Sequence, residues 1–352
     1  MMVEIDGSIG EGGGQVLRSA LALSAITGKS VRLYNIRARR SEPGLKAQHL
    51  KSVDAAAAVT KATVNGAAMH STALTFQPSS LSSGRYDFEI GTAGATTLVL
   101  QTILLPLSLA SSSSSVIISG GTHVPWSPCF HYVALHWLPF LQQMGFDAQI
   151  EMERAGFYPP GGGRIHAIIR PTEAVSPLLL TKRGRILRIR GISAVANLPV
   201  SIADRQKHQA LVRLKNIPEL GNTPDIHIQV QQLPAQSKGT FLLLLAEFEA
   251  GRCCYFGLGS LGKPAERVAD EAVDALQAFC DTGGAVDQYL ADQLLIPLCL
   301  ANGPSELRIS QITNHLLTNA AVLEAFIPAK ISITGELGEP GSIHILPAAI
   351  SH

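Results

Sequence analysis

Apolar and polar positions alternate over Val3 to Ile5, and a helical apolar period runs from Val16 to Ile26, with the glycines between Gly7 and Gly14 separating the two. That pattern predicts a short strand, a turn and a helix. Val31, Leu33 and Ile36 predict a second strand. A charged connection from Arg37 to Gly44 follows, marked by Pro43-Gly44, and then a second helix through Val59. Alternation returns at Leu74 to Phe76 and Tyr86 to Ile90, strands that would complete a mixed sheet with the first two.

The order then recurs. Ile90-Gly91-Thr92-Ala93-Gly94 leads into an apolar helix from Thr97 to Leu109, and a strand at Val116-Ile117-Ile118 follows. A third approximate copy sets Leu307 to Ile309 before Thr313-Asn314-His315, with a helix beyond Thr318 and a strand at Ile331 to Ile333. Between the second and third copies, the basic run Lys182 to Arg190 opens a segment of different pattern. Helices are predicted there at Ala203 to Leu214 and Ala265 to Phe279, and strands at Ile226 to Val230 and Phe241 to Phe248. The expected fold class is therefore α/β, a large domain of three related α/β repeats with a smaller inserted α/β domain. Residues 1–180 form the first part of the large domain, 181–281 the insertion and 282–352 the final part.

Composition limits the class. The 352 residues are 46% hydrophobic and 16% charged, which supports a substantial core and excludes a disordered chain or a long coiled coil. Lys and Arg total 28 against 27 Asp and Glu, so only a local patch can attract a polyanion. Five cysteines without a paired CxxC motif fit a reducing, cytoplasmic setting and argue against a structural zinc site. No apolar run approaches the roughly 18 residues of a membrane span, and Met1 to Asp6 carries no basic leader or cleavage pattern.

The chemistry-bearing residues fall into a few clusters. Gly10-Glu11-Gly12-Gly13-Gly14-Gln15 stands just before a predicted helix. Its backbone N–H groups can cradle phosphate and Glu11 can hold a divalent ion, or the segment is simply a structural turn. Arg37, Arg39, Arg40, Lys46, His49 and Lys51 form a basic region that either grips phosphates or faces solvent. Pro128, Tyr132, Phe157, Tyr158 and Tyr289 offer stacking surfaces or core packing. Asp287-Gln288-Tyr289-Leu290-Ala291-Asp292-Gln293 presents carboxylates, amides and a ring at helical spacing, suited to a ribose and base or to capping and solvation. His315 lies between a predicted strand and helix, where a neutral imidazole can attack phosphorus or serve as a hydrogen-bonded structural group.

Taken in order along the chain, Glu11-Gly12-Gly13-Gly14-Gln15, Arg39 with Pro43-Gly44-Leu45, Gly91-Thr92-Ala93-Gly94, Gly156-Phe157-Tyr158-Pro159, Asp292-Gln293 and His315-Leu316-Leu317-Thr318-Asn319 form a distinctive set. The combination resembles the RNA 3′-terminal phosphate cyclase family over nearly the whole chain. The resemblance implies a ligase-type enzyme of RNA processing, with three α/β units and a smaller domain inserted before the last. It implies ATP and a divalent cation, Mg2+ or Mn2+, as cofactors and an RNA with a 3′-terminal phosphate as substrate. No membrane or obligate protein partner is indicated.

By the same resemblance His315 would be the adenylated nucleophile. Gln101, Tyr289, Leu290, Ala291, Asp292 and Gln293 would form much of the ATP site, Pro128 would face Tyr289 across adenine, and Glu11 would be a metal-associated carboxylate near the triphosphate. The architecture alone also suits a noncatalytic RNA- or protein-binding factor, or carboxyvinyl transfer from phosphoenolpyruvate. The histidine with its companions favours nucleotide transfer over both.

Overall fold

A computed structural model describes residues 2–347 apart from 222 and 224, so the outermost residues of the first and last expected segments, 1 and 348–352, lie outside the described residues. The chain opens with β1 (Met2–Asp6), α1 (Gly14–Thr27), β2 (Ser30–Tyr34), α2 (Ala47–Thr60), β3 (Thr63–Asn65) and β4 (Leu74–Gln77). β1 and β2 run parallel, pairing Val3 with Val31 and Ile5 with Leu33, while β4 lies antiparallel between β2 and β3. α1 is apolar on almost every side and buries Val16, Leu17, Leu21 and Leu23, as a helix enclosed by neighbours must. It packs against α2 and two helices introduced below, and ends at Gly28, whose left-handed backbone (φ 69°) closes the last turn.

A second group follows: β5 (Arg85–Glu89), α3 (Thr96–Ser108), β6 (Ser114–Gly120), α4 (Phe130–Tyr132), a π-helical turn (Val133–Trp137), α5 (Leu138–Gln143), β7 (Ala148–Arg154) and β8 (Gly163–Ile169). The strand expected around Tyr86 to Ile90 therefore belongs to this second sheet, through its pairing with β6. The short β3, too brief to show an alternation, completes the first.

Next come β9 (Leu179–Leu180), β10 (Ile186–Ala196), α6 (Ser201–Lys215), α7 (Pro218–Gly221), β11 (Asp225–Gln232), β12 (Gly239–Phe248), β13 (Gly251–Leu258) and α8 (Ala265–Cys280). The last group is α9 (Gln288–Gln293), α10 (Leu295–Cys299), β14 (Ser305–Ile309), α11 (Asn314–Phe326), β15 (Lys330–Thr334) and β16 (Gly341–Leu346). The architecture is mixed α/β, with four four-stranded sheets among the described residues.

Three of these sheets share one plan. In β1-β2-β4-β3, β5-β6-β8-β7 and β9-β14-β16-β15, the first two strands in the chain are parallel and the fourth lies antiparallel between the second and third. This corrects the sequence alignment of the third copy. β14 stands second in its sheet, where β2 and β6 stand, and α11 follows it as α2 and α4–α5 follow those strands. The first strand is the two-residue β9, which lies before the basic run and is too short to be read from sequence.

In the remaining sheet, β11-β10-β12-β13, the strand β12 is buried on both faces. Along β12, Phe241, Leu243 and Leu245 join the large core, while Leu242, Leu244 and Ala246 join a second core under α6 and α8. Alternate side chains point to opposite faces, which explains why this strand reads as a continuous apolar run. Phe241 also stacks on His123, with ring centroids 4.5 Å apart, and the Phe157 N–H donates to Ser237 Oγ at 2.8 Å. No helix among the described residues is long and apolar enough to cross a membrane.

Gly156 sits where three backbone stretches meet. A Cβ there would lie 2.5 Å from Gly120 O and 2.7 Å from Gly163 Cα, and neither can swing aside. Gly156→Ala is expected to lower stability by about 1–3 kcal/mol, the usual range for overpacking, measured by denaturant unfolding. An unchanged midpoint would show that the backbone yields at this junction.

Candidate active site

Two helix N-termini face each other here. Gln15 lies in the first turn of α1 and His315 in the first turn of α11, and the two side chains hydrogen-bond, His315 Nδ1 donating to Gln15 Oε1. The Thr313 hydroxyl caps α11 by accepting the Leu316 N–H at 3.0 Å. The glycine turn before α1 is pressed into place from both sides. A Cβ on Gly10 (φ 59°) would run into the Thr318 hydroxyl of α11, and one on Gly13 would approach Arg40 Nη2 to 3.1 Å. At Gly10 the left-handed backbone and this approach both favour glycine, and the N–H groups at the helix starts give the region a positive potential.

The Gln15 amide is itself oriented. Its Nε2 donates to Asp292 Oδ2 at 3.1 Å, leaving Oε1 to accept from His315. Asp292 lies in the last turn of α9, and its backbone carbonyl accepts from Asn319 Nδ2 at 3.1 Å. Asn319 in turn accepts from Ser19 Oγ at 2.6 Å. Helices α1, α9 and α11 are thus joined by one polar network within an otherwise apolar packing. Burial raises the Asp292 carboxyl to about 7, against the Gln15 hydrogen bond, with the Asp287 charge adding to the rise. Burial lowers Arg18, which shares this face of α1, to about 10 although Asp292 pulls it upward.

Glu11 completes the constellation, with Oε2 3.0 Å from His315 Nε2 and 3.7 Å from Arg40 Nη2. With its Nδ1 proton given to Gln15, a neutral His315 presents the Nε2 lone pair to the Glu11 carboxylate. Two lone-pair atoms at that separation need a proton or a cation between them. Burial holds the imidazole below its usual pKa; Glu11 opposes this, while Arg18 and Arg40 reinforce it. The lowered pKa favours loss of a proton shared with Glu11, which leaves Nδ1–H on Gln15 and frees Nε2 as the nucleophile.

The expected nucleotide residues partly converge. Gln101, on α3, donates from Nε2 to Gln293 Oε1 at 2.8 Å, and Gln293 donates back to the Tyr289 carbonyl at 2.8 Å. Tyr289 is 55% exposed, its ring edge-on to Tyr255 at 6.3 Å. Pro128 is fixed through its carbonyl, which accepts from Thr97 Oγ1 at 2.7 Å one turn before Gln101. Leu290 and Ala291, on the same helix, are fully buried and their N–H groups bond Asp287. Gln15, Arg18 and Ser19 were not singled out as site residues from the sequence. Their positions i, i+3 and i+4 on one helix face were the available signal.

Among the described residues, no group of three or more His, Cys, Asp or Glu side chains could enclose a metal. Glu11 fits the other common arrangement, in which one carboxylate shares a hard cation with substrate phosphates and water. Half-buried amides, a half-exposed aromatic ring and converging helix starts suit a nucleotide triphosphate.

A family model described as RNA 3'-terminal phosphate cyclase matches residues 9–333. The chain is similar to the RNA 3'-terminal phosphate cyclase of Gloeothece citriformis, 40% identical over 342 residues, covering 95% of this chain and 96% of that one. It is 44% identical over 348 residues to that of Desulfurococcus amylolyticus, covering 98% of each. It is 45% identical over 330 residues to that of Pseudomonas fluorescens, covering 94% of each. A solved enolpyruvyl transferase, NikO from Streptomyces tendae, aligns over 99% of this chain and 82% of its own at 11% identity and a TM-score of 0.26, too slight a likeness to carry an argument.

Nitrogen NMR should find His315 with its proton on Nδ1 and titrating below the ordinary histidine range. Glu11→Gln should lower that pKa further, because it removes the carboxylate that favours protonation, and Arg40→Met should raise it. Gln15→Leu should mix the tautomers; an unchanged tautomer would remove the orienting role of Gln15.

Proposed function

The chain belongs to the RNA 3′-terminal phosphate cyclase family, and on that premise we propose that it uses ATP to convert an RNA 3′-terminal phosphate into a 2′,3′-cyclic phosphodiester, with His315 as a transiently adenylated nucleophile. The observation that carries the reading is the His315 ring held by Gln15 at Nδ1, with its Nε2 3.0 Å from Glu11, between two helix N-termini.

His315 Nε2 attacks the α-phosphorus of ATP. The N–P bond forms, the bond to the bridging oxygen breaks and pyrophosphate leaves. The Nδ1–H bond to Gln15 stabilises the positive charge that the ring acquires. An oxygen of the RNA 3′-phosphate then attacks the same phosphorus, the N–P bond breaks, and an RNA–adenylate phosphoanhydride forms. In the last step the neighbouring ribose 2′-oxygen attacks the 3′-phosphorus and AMP departs with its bonding pair. The 2′-hydroxyl proton passes to a base, and closure is favoured because both groups sit on one ribose. A divalent cation, Mg2+ or Mn2+, bound through Glu11 would supply charge neutralisation at the triphosphate. Tyr289 and Pro128 would flank the adenine, Gln101 and Gln293 would address its polar edge or the ribose, and Asp292 would keep Gln15 oriented. The glycine turn and the arginines around it would receive phosphate oxygens.

The shared plan of three sheets supports three related α/β units forming the body, with residues 181–281 as an inserted domain between 1–180 and 282–352. In this division the first strand of the third unit, β9, precedes the insertion.

Purified protein with ATP and Mg2+ should convert an RNA ending in a 3′-phosphate to the cyclic end and leave its 3′-hydroxyl analogue untouched. A folded Glu11→Ala variant should require much more metal for half-maximal conversion. Absence of the cyclic end under all metal conditions would contradict the activity, and an unchanged metal requirement would remove Glu11 from it.

A further inference from the structure

Helix α9 carries Tyr289, Asp292 and Gln293, so the direction in which it starts determines where these side chains lie. Its N-cap is Asp287, whose Oδ1 accepts the N–H groups of Tyr289 at 3.0 Å and Leu290 at 2.9 Å. The other carboxylate oxygen is not left to water. His136 Nε2 donates to Asp287 Oδ2 at 2.6 Å, and both side chains are wholly buried. A carboxylate in such surroundings needs a partner for each oxygen, and a capping carboxylate with only one fixed oxygen can rotate away from its helix.

His136 reaches Asp287 from a distant part of the chain, in the π-helical turn Val133–Trp137 between α4 and α5. Such turns are uncommon and recur at functional positions. The ring is wedged edge-on against Tyr132 at 5.1 Å and Phe140 at 5.5 Å, which leaves it little freedom to turn. On the other side of the same helix start, Gln288 Oε1 accepts from Tyr255 Oη at 3.0 Å and Ser310 Oγ at 3.1 Å. The first residues of α9 are thereby fastened to the second group of elements, to β13 and to the end of β14.

We infer that His136 is a positioning residue of the nucleotide site: by pinning Asp287 it sets the start of α9 and thereby aims Tyr289 and Gln293 at the nucleotide. The inference rests on the ATP-dependent reading above and goes beyond it, since His136 lies in the core and touches no substrate. It acts through Asp287 on binding, so the Michaelis constant for ATP is the quantity it should move.

The test compares full-length wild type, His136→Leu and His136→Gln in formation of the protein adenylate as ATP is varied, with thermal melting as a control for folding. His136→Leu should raise the KM for ATP by about tenfold or more, the scale of a small misplacement, while kcat changes less. His136→Gln, whose amide can still donate to Asp287, should recover most of that loss. An unchanged KM in folded His136→Leu, a fall confined to kcat, or no recovery with glutamine would overturn the inference. If the leucine variant does not fold, His136→Gln, Asp287→Asn and their double variant form a cycle in ATP KM. Strongly non-additive effects are expected, and strict additivity would overturn the pairing. Wild type that takes no label from ATP overturns the ATP reading and this inference together. Labelled wild type with an indifferent leucine variant overturns this inference alone.

Discussion

The amide of Gln15 can point only one way while Asp292 accepts its N–H, and that choice determines which nitrogen of His315 is free. One neutral side chain thus translates the placement of a buried carboxylate into the tautomer of an imidazole. Its three participants stand at positions 15, 292 and 315, on helices α1, α9 and α11. The rest of the site follows from holding these helix ends together. Thr318 leaves no room for a Cβ at Gly10, and Glu11 is carried by the glycine turn to His315 Nε2.

What keeps the helices in register is largely apolar. α1 is buried along its length and packs against α2, α3 and α11, so its first turn cannot shift without disturbing a core shared by the first, second and last groups of elements. The four-stranded sheets with a common strand order give this packing a repeated geometry. The sheet of β10 to β13 contributes one face to the same core and reserves the other for α6 and α8, which leaves its own small core distinct. Polar networks inside such a body are costly unless satisfied, and the chain from Ser19 through Asn319 to Asp292 carries its hydrogen bonds between side chains and backbone.

Much of this was legible in the sequence because its signals are local. The helices from Gly14, Ala47, Thr96 and Ala265 announce themselves by apolar period, and the strands of the first sheet's parallel pair by alternation. Seven strands, β3, β7, β8, β9, β10, β13 and β16, are not among those the sequence predicts, and β3 and β9 are only three and two residues long. β3 and β9 exist because neighbours pair with them, a tertiary effect that leaves no pattern. Missing β9 displaced the whole third copy by one strand. At the site, Glu11 and His315 could be assigned roles by residue type and surroundings, whereas Gln15 was legible only as part of the glycine motif and His136 not at all. A glutamine at a helix start and a histidine in an apolar helix gain meaning only from a partner more than a hundred residues away.

The most direct test of the account is peptide mapping by mass spectrometry after the protein is incubated with ATP and Mg2+ in the absence of RNA. The account predicts AMP on the peptide that contains His315, attached to Nε2 and lost in acid while surviving alkali, and its complete transfer when RNA with a 3′-phosphate is added. Adenylation of a different residue, or RNA cyclisation by a folded His315→Ala protein at the normal rate, would contradict it.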